Sequence, residues 1–278
     1  MIAATNTLFS TDGAERTNGP DRAVGADGAE PRKRLLARLW ADTARAARRV
    51  AGRAPVHPAV AANRALFRRA DQDRPLAECS FAVVDTELTG LNPRRDEIVS
   101  IGAVRVRGLA IDPADGFYAE VRPAAPLPKT STLIHRITPQ CVAHAPCIAQ
   151  VLPDFLEYLG DSFIVGHHVG LDMSFLNAAA RRHLGGRIAT PCVDTMRLAR
   201  AFREESWRSV YDAYDGRISY NLADLARELG LPRCDEHNAY WDAMQAAYLF
   251  VFLVRKLRKG EVRTIRELHA ATRPRRWC

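Results

Sequence analysis

The stretch Phe81-Ala-Val-Val-Asp85-Thr-Glu87 is a short apolar run that ends in two carboxylates two positions apart. A strand has a side-chain period of two, so Asp85 and Glu87 fall on one face, where they can share a cation. Such a pair alone is common on strand surfaces, and its meaning depends on what else the chain brings to it. Working outward, Asn92 and Pro93 mark a turn, Ile98 to Val106 reads as a second strand, and Phe117 to Val121 reads as a third. Helical spacing over Ile148 to Leu159, a buried strand at Phe163 to Val165 and a helix over Asp172 to Leu184 follow. A strand at Ile188 to Val193 and helices at Thr195 to Phe202, Asn221 to Leu229 and Ala239 to Lys259 complete the series. Three strands in meander order, then alternating helices and strands, predict an α/β protein with a mixed sheet of about five strands flanked by helices.

Two further polar groups stand at element boundaries. Asp172, in Gly166-His-His-Val-Gly-Leu-Asp172, lies where a strand gives way to a helix, the edge on which α/β sites gather. An N-capping aspartate is the competing reading of that residue alone. His237 precedes the last long helix and Asp242 falls on its first turn, a spacing that suits a base beside a metal ligand. Four acids converging in a fold would repel one another unless divalent metal neutralises them, and an oxygen-only donor set points to Mg²⁺ or Mn²⁺ rather than Zn²⁺.

The 278 residues carry a formal net charge of +8, distributed unevenly. Residues 1–30 have a net charge of −3, 31–77 of +9, 78–254 of −5 and 255–278 of +7. We divide the chain accordingly into a disordered lead (1–30), a basic amphipathic helix and connector (31–77), a central domain (78–258) and a basic tail (259–278). In the second segment Leu35, Leu36, Leu39, Trp40 and Val50 recur at helical spacing among arginines. This basic helical N-terminal extension is expected to pack on the main domain or to meet nucleic acid, a partner or a membrane surface. Ala51 to Pro75 reads as connector, and Thr264 with Glu267 as a capping box for a short helix. The six cysteines form no C-x-x-C pair, and there is neither an exported leader pattern nor an apolar run of about 18 residues. A cytoplasmic protein with reduced thiols and no membrane span is the expectation.

Taken together, residues 80–256 resemble the DEDDh branch of the DEDD superfamily of 3′→5′ exonucleases, which has an RNase H-like fold. The resemblance rests on Asp85-Thr-Glu87-Leu-Thr-Gly-Leu, Leu133-Ile-His-Arg-Ile-Thr138, Gly166-His-His-Val-Gly-Leu-Asp172, Val193-Asp-Thr195, and His237 with Asp242. It implies that Asp85, Glu87, Asp172 and Asp242 bind two divalent cations and that His237 deprotonates the attacking water. By the same resemblance Thr86, Thr89, Gly90 and Leu91 contact the terminal nucleotide, and nucleoside 5′-monophosphates are released from single-stranded or frayed 3′ ends. Leu91 is a wedge against the last base or a plug beneath its turn. The sequence departs from the family at Leu88, where threonine is usual, at His168, where asparagine is usual and substrate orientation is affected, and at Arg136, where glycine is common. Arg136 either reaches a phosphate or is solvated, and Asp194 reads as a helix N-cap.

The expected role is DNA proofreading or repair, with RNA processing as the alternative. A polymerase or other replication partner and a homodimer are among the expected assemblies. A reading from a different class is a non-catalytic accessory protein that binds nucleic acid or a polymerase. The basic flanks are candidates for holding the polyanion whose 3′ end enters the site.

Overall fold

The computed structural model describes residues 55–206, 219–234 and 237–272. The expected lead and the basic helix of residues 31–50 lie outside them. The chain divides into two units, Met1–Gly52 and Arg53–Cys278, and the elements that follow belong to the second.

A five-stranded sheet has the order β3-β2-β1-β4-β5. Strands β1 (Ser80–Leu88), β2 (Ile98–Arg107) and β3 (Ala110–Glu120) form an antiparallel meander. Strands β4 (Phe163–Gly166) and β5 (Cys192–Asp194) run parallel to β1 beyond it. The central position of β1 explains its unbroken apolar run, because both its faces are covered. Phe81 and Val83 join the cluster that includes Leu198, Leu225, Phe250 and Ile265. Ala82 and Val84 join the opposite cluster, with Val60, Leu152, Phe155 and Leu176. All four strand residues are at most 1% exposed. Phe81 lies 5.0 Å from Phe250 and 6.0 Å from Phe163 between ring centroids, and each such buried ring contributes about 1.5–3 kcal/mol.

The helices in chain order are α1 (Pro58–Phe67), α2 (Lys129–His135), α3 (Pro139–Val142), α4 (Ile148–Leu159), α5 (Gly170–His183), α6 (Thr195–Ser206), α7 (Leu222–Glu228), α8 (Ala239–Lys256) and α9 (Ile265–Ala271). Helices α4 and α5 cover one face of the sheet, and α6 to α9 supply the other cluster. Gly102, paired with Asp85 across the ladder, fixes how close α8 comes. A Cβ at that position would lie 2.2 Å from the backbone of Ala239 and Tyr240, so only glycine lets the first turn of α8 cross β2 there.

Several expectations change. The stretch read as connector contains α1, started by Pro58 in its first turn and by the His57 side chain, which accepts from the Ala59 N–H. Part of the stretch read as tail is α9, whose Ile265 and Leu268 are fully buried; the capping box at Thr264 and Glu267 is present as expected. The third strand begins at Ala110 rather than Phe117, past an irregularity between Val104 and Arg105. The last strand starts at Cys192 rather than Ile188, since Pro191 has no N–H for a ladder, although its carbonyl accepts from Ile164. Helix α8 ends at Lys256 and passes into a 3₁₀ turn to Gly260.

Candidate active site

Asp85 and Glu87 stand at the end of β1, side by side on the face toward α8. Asp242 joins them from the first turn of α8, which the Gly102 contact draws over the strand. One carboxylate oxygen from each of these three residues lies within 4.8 Å of the other two. Burial holds the Asp85 carboxyl well above the usual carboxylate range, with the charges of Asp172, Asp242 and Glu87 adding to the effect. Glu87 is pushed up to about 7, first by burial and then by Asp242 and Asp172. The cluster therefore retains protons near neutrality unless a cation offsets its charge, and three converging carboxylates are the donor set of a hard divalent ion.

Asp172 has a different setting. It is 5% exposed, and its Oδ1 accepts a 2.6 Å hydrogen bond from the Thr86 hydroxyl. Burial raises its carboxyl to about 7 even though that bond and backbone N–H groups pull it down. It lies near enough to raise Asp85 but outside the close trio. Nor is it an N-cap: α5 begins at Gly170, so Asp172 sits inside the first turn. Thr86 occupies the β1 face opposite Asp85, and its hydroxyl serves Asp172. The Thr86 hydroxyl expected to meet the terminal nucleotide is thus engaged with Asp172 in this structure.

His237 is exposed at the start of α8, with φ of 69°, and its backbone N–H donates to Asp242 Oδ2 at 3.0 Å. It lines a cavity of about 500 Å³ together with Asp85, Asp242, His168 and Gln245. A second cavity, of about 750 Å³, shares His237, Arg233 and Cys234 with the first and is walled by Tyr118, His135, Arg136 and Trp241. His168 takes φ of 60°, a left-handed conformation that asparagine and histidine enter more readily than most residues. Its N–H donates to Asp194 Oδ1, which also accepts from Met196 N at the head of α6, so Asp194 caps that helix as expected. Arg136 likewise has φ of 60°, in the left-handed region that glycine enters without steric cost.

The loop after β1 is built rather than slack. Thr89 N donates to the Glu97 carbonyl and Thr89 Oγ1 accepts from Glu97 N, both at 2.9 Å. Gly90 lies against the Asp96 carboxylate, which a Cβ would approach to 2.5 Å. Leu91 is 77% exposed on this loop, so it is not a plug beneath the turn.

The sequence reading did not single out His167. Its two ring nitrogens lie 2.8 Å from Thr195 Oγ1 and 2.9 Å from the Tyr220 carbonyl, and burial lowers its pKa. A neutral ring donating from Nε2 to that carbonyl ties the loop after β4 to the segment before α7. The Gly-His-His run gave a hint, but the partners lie 28 and 53 residues away.

Comparison with known proteins adds to this geometry. The family model described as "Exonuclease" matches residues 82–250. The chain belongs to this exonuclease family. The exonuclease domain is 30% identical over 182 residues to the DNA polymerase III subunit epsilon of Aquifex aeolicus, covering 66% of this chain and 84% of that protein. It is also 30% identical over 203 residues to the PolC-type DNA polymerase III of Thermotoga maritima, covering 73% of this chain but spanning only 14% of the polymerase. Among solved structures it is similar to Exonuclease X in complex with 5′-overhanging duplex DNA, with a TM-score of 0.50 and 26% identity, over 69% of this chain and 99% of that one. E. coli Exonuclease I in complex with a dT13 oligonucleotide shares the fold, with a TM-score of 0.54 and 20% identity, over 66% of this chain and 42% of that one. Among the described residues, no helix is long and apolar enough to cross a membrane.

Proposed function

We propose that this chain is a divalent-metal-dependent 3′→5′ exonuclease that removes nucleoside 5′-monophosphates from single-stranded or frayed DNA ends, in proofreading or repair. The observation that carries the reading is the convergence of Asp85, Glu87 and Asp242, two of which, Asp85 and Asp242, line one cavity with His237. DNA is favoured over RNA because the relatives are DNA polymerase III proteins and the similar solved structures hold DNA.

Asp85, Glu87 and Asp242 would hold Mg²⁺ or Mn²⁺, and Asp172, whose charge acts on Asp85, would contribute to a second ion. Bound ions would offset the carboxylate charge and lend Lewis acidity to the attacked phosphate. His237 would take the proton from the attacking water. Its exposed ring stands at the rim of the cavity, and the N–H bond to Asp242 fixes its backbone relative to the carboxylates. Thr86 holds the Asp172 carboxylate in one orientation. Leu91, carried on the braced loop, would meet the last base, and Arg136, which lines the second cavity, would reach a phosphate.

The test uses 3′-labelled and 5′-labelled single strands of DNA and RNA with Mg²⁺, Mn²⁺ or EDTA, beside Asp85→Ala. Mononucleotides released from the DNA 3′ end, only with metal and only by the unaltered chain, are the expected result. Tight binding without cleavage of any strand would instead point to an accessory, non-catalytic role.

A further inference from the structure

Helix α1 lies before the first residue matched by the exonuclease model. Several polar contacts nonetheless fasten it to the turn between α5 and β5. His57 N donates to the Leu184 carbonyl at 3.0 Å, Asn63 Nδ2 donates to Thr190 Oγ1 at 2.6 Å, and Asn63 Oδ1 accepts from Ala189 N at 2.7 Å. Arg64 Nε donates to the Arg187 carbonyl at 3.3 Å, setting the Arg64 side chain against the backbone that carries Arg187. Arg68 lies one helical turn beyond Arg64, on the same side of α1. Arg181 and Arg182 stand on the last turn of α5, beside the Leu184 carbonyl that holds His57.

These five guanidinium groups are all exposed, and among the described residues none lies within 4 Å of a carboxylate. Elsewhere on the surface Arg74, Arg107, Arg227 and Arg266 each have an acidic partner. An unneutralised group of cations on rigidly fastened backbone repels itself, and a polyanion is the ligand that relieves this.

The patch also has a geometric relation to the carboxylates. Asp172 and Arg182 are ten residues apart on α5, so about 15 Å of helix separates the patch from the site. A groove of about 280 Å³ runs alongside, with Arg122 and Arg182 in its walls and the loop that follows Leu91 at its edge. Its two carboxylates are committed to backbone donors: Asp96 accepts from Asn92 N, and Glu97 from Ala124 N and Ala125 N.

We propose that Arg64, Arg68, Arg181, Arg182 and Arg187 form an exosite for the phosphate backbone of the nucleic acid whose 3′ end occupies the carboxylate site. At about 3.4 Å per nucleotide of a stacked, duplex-like strand, 15 Å corresponds to four or five nucleotides, and a stretched strand spans it with fewer, so the exosite engages only substrates longer than a trinucleotide. The proposal rests on the exonuclease reading for the identity of the polyanion.

The test is Arg64→Gln/Arg182→Gln/Arg187→Gln in the full chain, with circular dichroism to verify folding. Binding of a labelled 30-nucleotide DNA strand is followed by anisotropy in EDTA across salt concentration, and hydrolysis is compared on trinucleotide and 30-nucleotide DNA. The expected result is an affinity loss of tenfold or more at low salt and a log–log salt slope shallower by about 2, given about 0.7 per single-strand phosphate contact. In hydrolysis, KM rises for the long strand while kcat, and both constants for the trinucleotide, stay unchanged. An unchanged salt slope overturns the exosite and leaves an acidic protein as the patch's partner. Because binding is read without metal, a chain that binds with the expected slope change but cleaves nothing supports the exosite while refuting the exonuclease reading.

Discussion

Replacing Glu87 by glutamine isolates the energetic role of the carboxylate cluster, because it removes a charge at nearly constant shape. The folded chain holds this proton more tightly than the unfolded chain, at about 7 against an ordinary value of 4.5. Below pH 4.5 both states are protonated and the site costs nothing. As pH rises from 4.5 to 7 the unfolded chain ionises first, so the metal-free protein loses stability across that window, and above it the loss is complete. At about 1.4 kcal/mol per pH unit, the full loss approaches about 3 kcal/mol. Glu87→Gln therefore stabilises the metal-free protein by up to about 3 kcal/mol at pH 8, or roughly 6–12 °C in Tm, and by little at pH 4.5. Thermal denaturation in EDTA at several pH values measures this. Saturating Mg²⁺ should raise the Tm of the unaltered chain, a cation at a hundred times its Kd being worth about 2.7 kcal/mol, and should raise that of the variant much less. A gain of the same size at pH 4.5 and pH 8, or no gain at either, would refute the reasoning that buried repulsion loads this site.

Gly102→Ala should abolish hydrolysis and lower stability by about 1–3 kcal/mol in urea titration, since the added Cβ meets backbone that cannot step aside and α8 carries Asp242 away from β1. His237→Ala should reduce kcat by about 10²–10⁴-fold while the Mg²⁺-induced rise in Tm persists, which separates loss of a base from loss of a cation site. Thr86→Val keeps side-chain volume but leaves Asp172 without its hydroxyl donor. A loss of about 1.5–3 kcal/mol at pH 8, shrinking as pH falls and Asp172 takes up a proton, is the expected denaturation result.

The run Phe81 to Val84 followed by Asp85 and Glu87 could be read directly, because a strand covered on both faces must be apolar throughout and its period places both acids together. The long helices were equally legible from their spacing, and the capping box at Thr264 from local chemistry alone. Helix α1 was not, since only Val60 and Asn63 are buried along it and its anchors lie more than 120 residues away. Arg105 shows the same limit. Alternation cannot announce a buried guanidinium, yet Arg105 is 6% exposed on β2, bonded to Asp115, Ser162 and the carbonyls of Tyr158 and Leu159.

By itself, the order of residues determined which side chains are the candidates for the chemistry: acids at a strand end, an acid at a helix start, and a histidine before a helix. Local geometry suffices for that, because strand and helix periods place neighbours in sequence on known faces. Only the tertiary structure decided how those groups divide. Asp85, Glu87 and Asp242 converge because Gly102 admits α8 onto β2, whereas Asp172 stays apart, held by Thr86 from the opposite face of β1. The approach of a helix to a sheet depends on atoms far apart in the chain, and no short-range pattern encodes that distance.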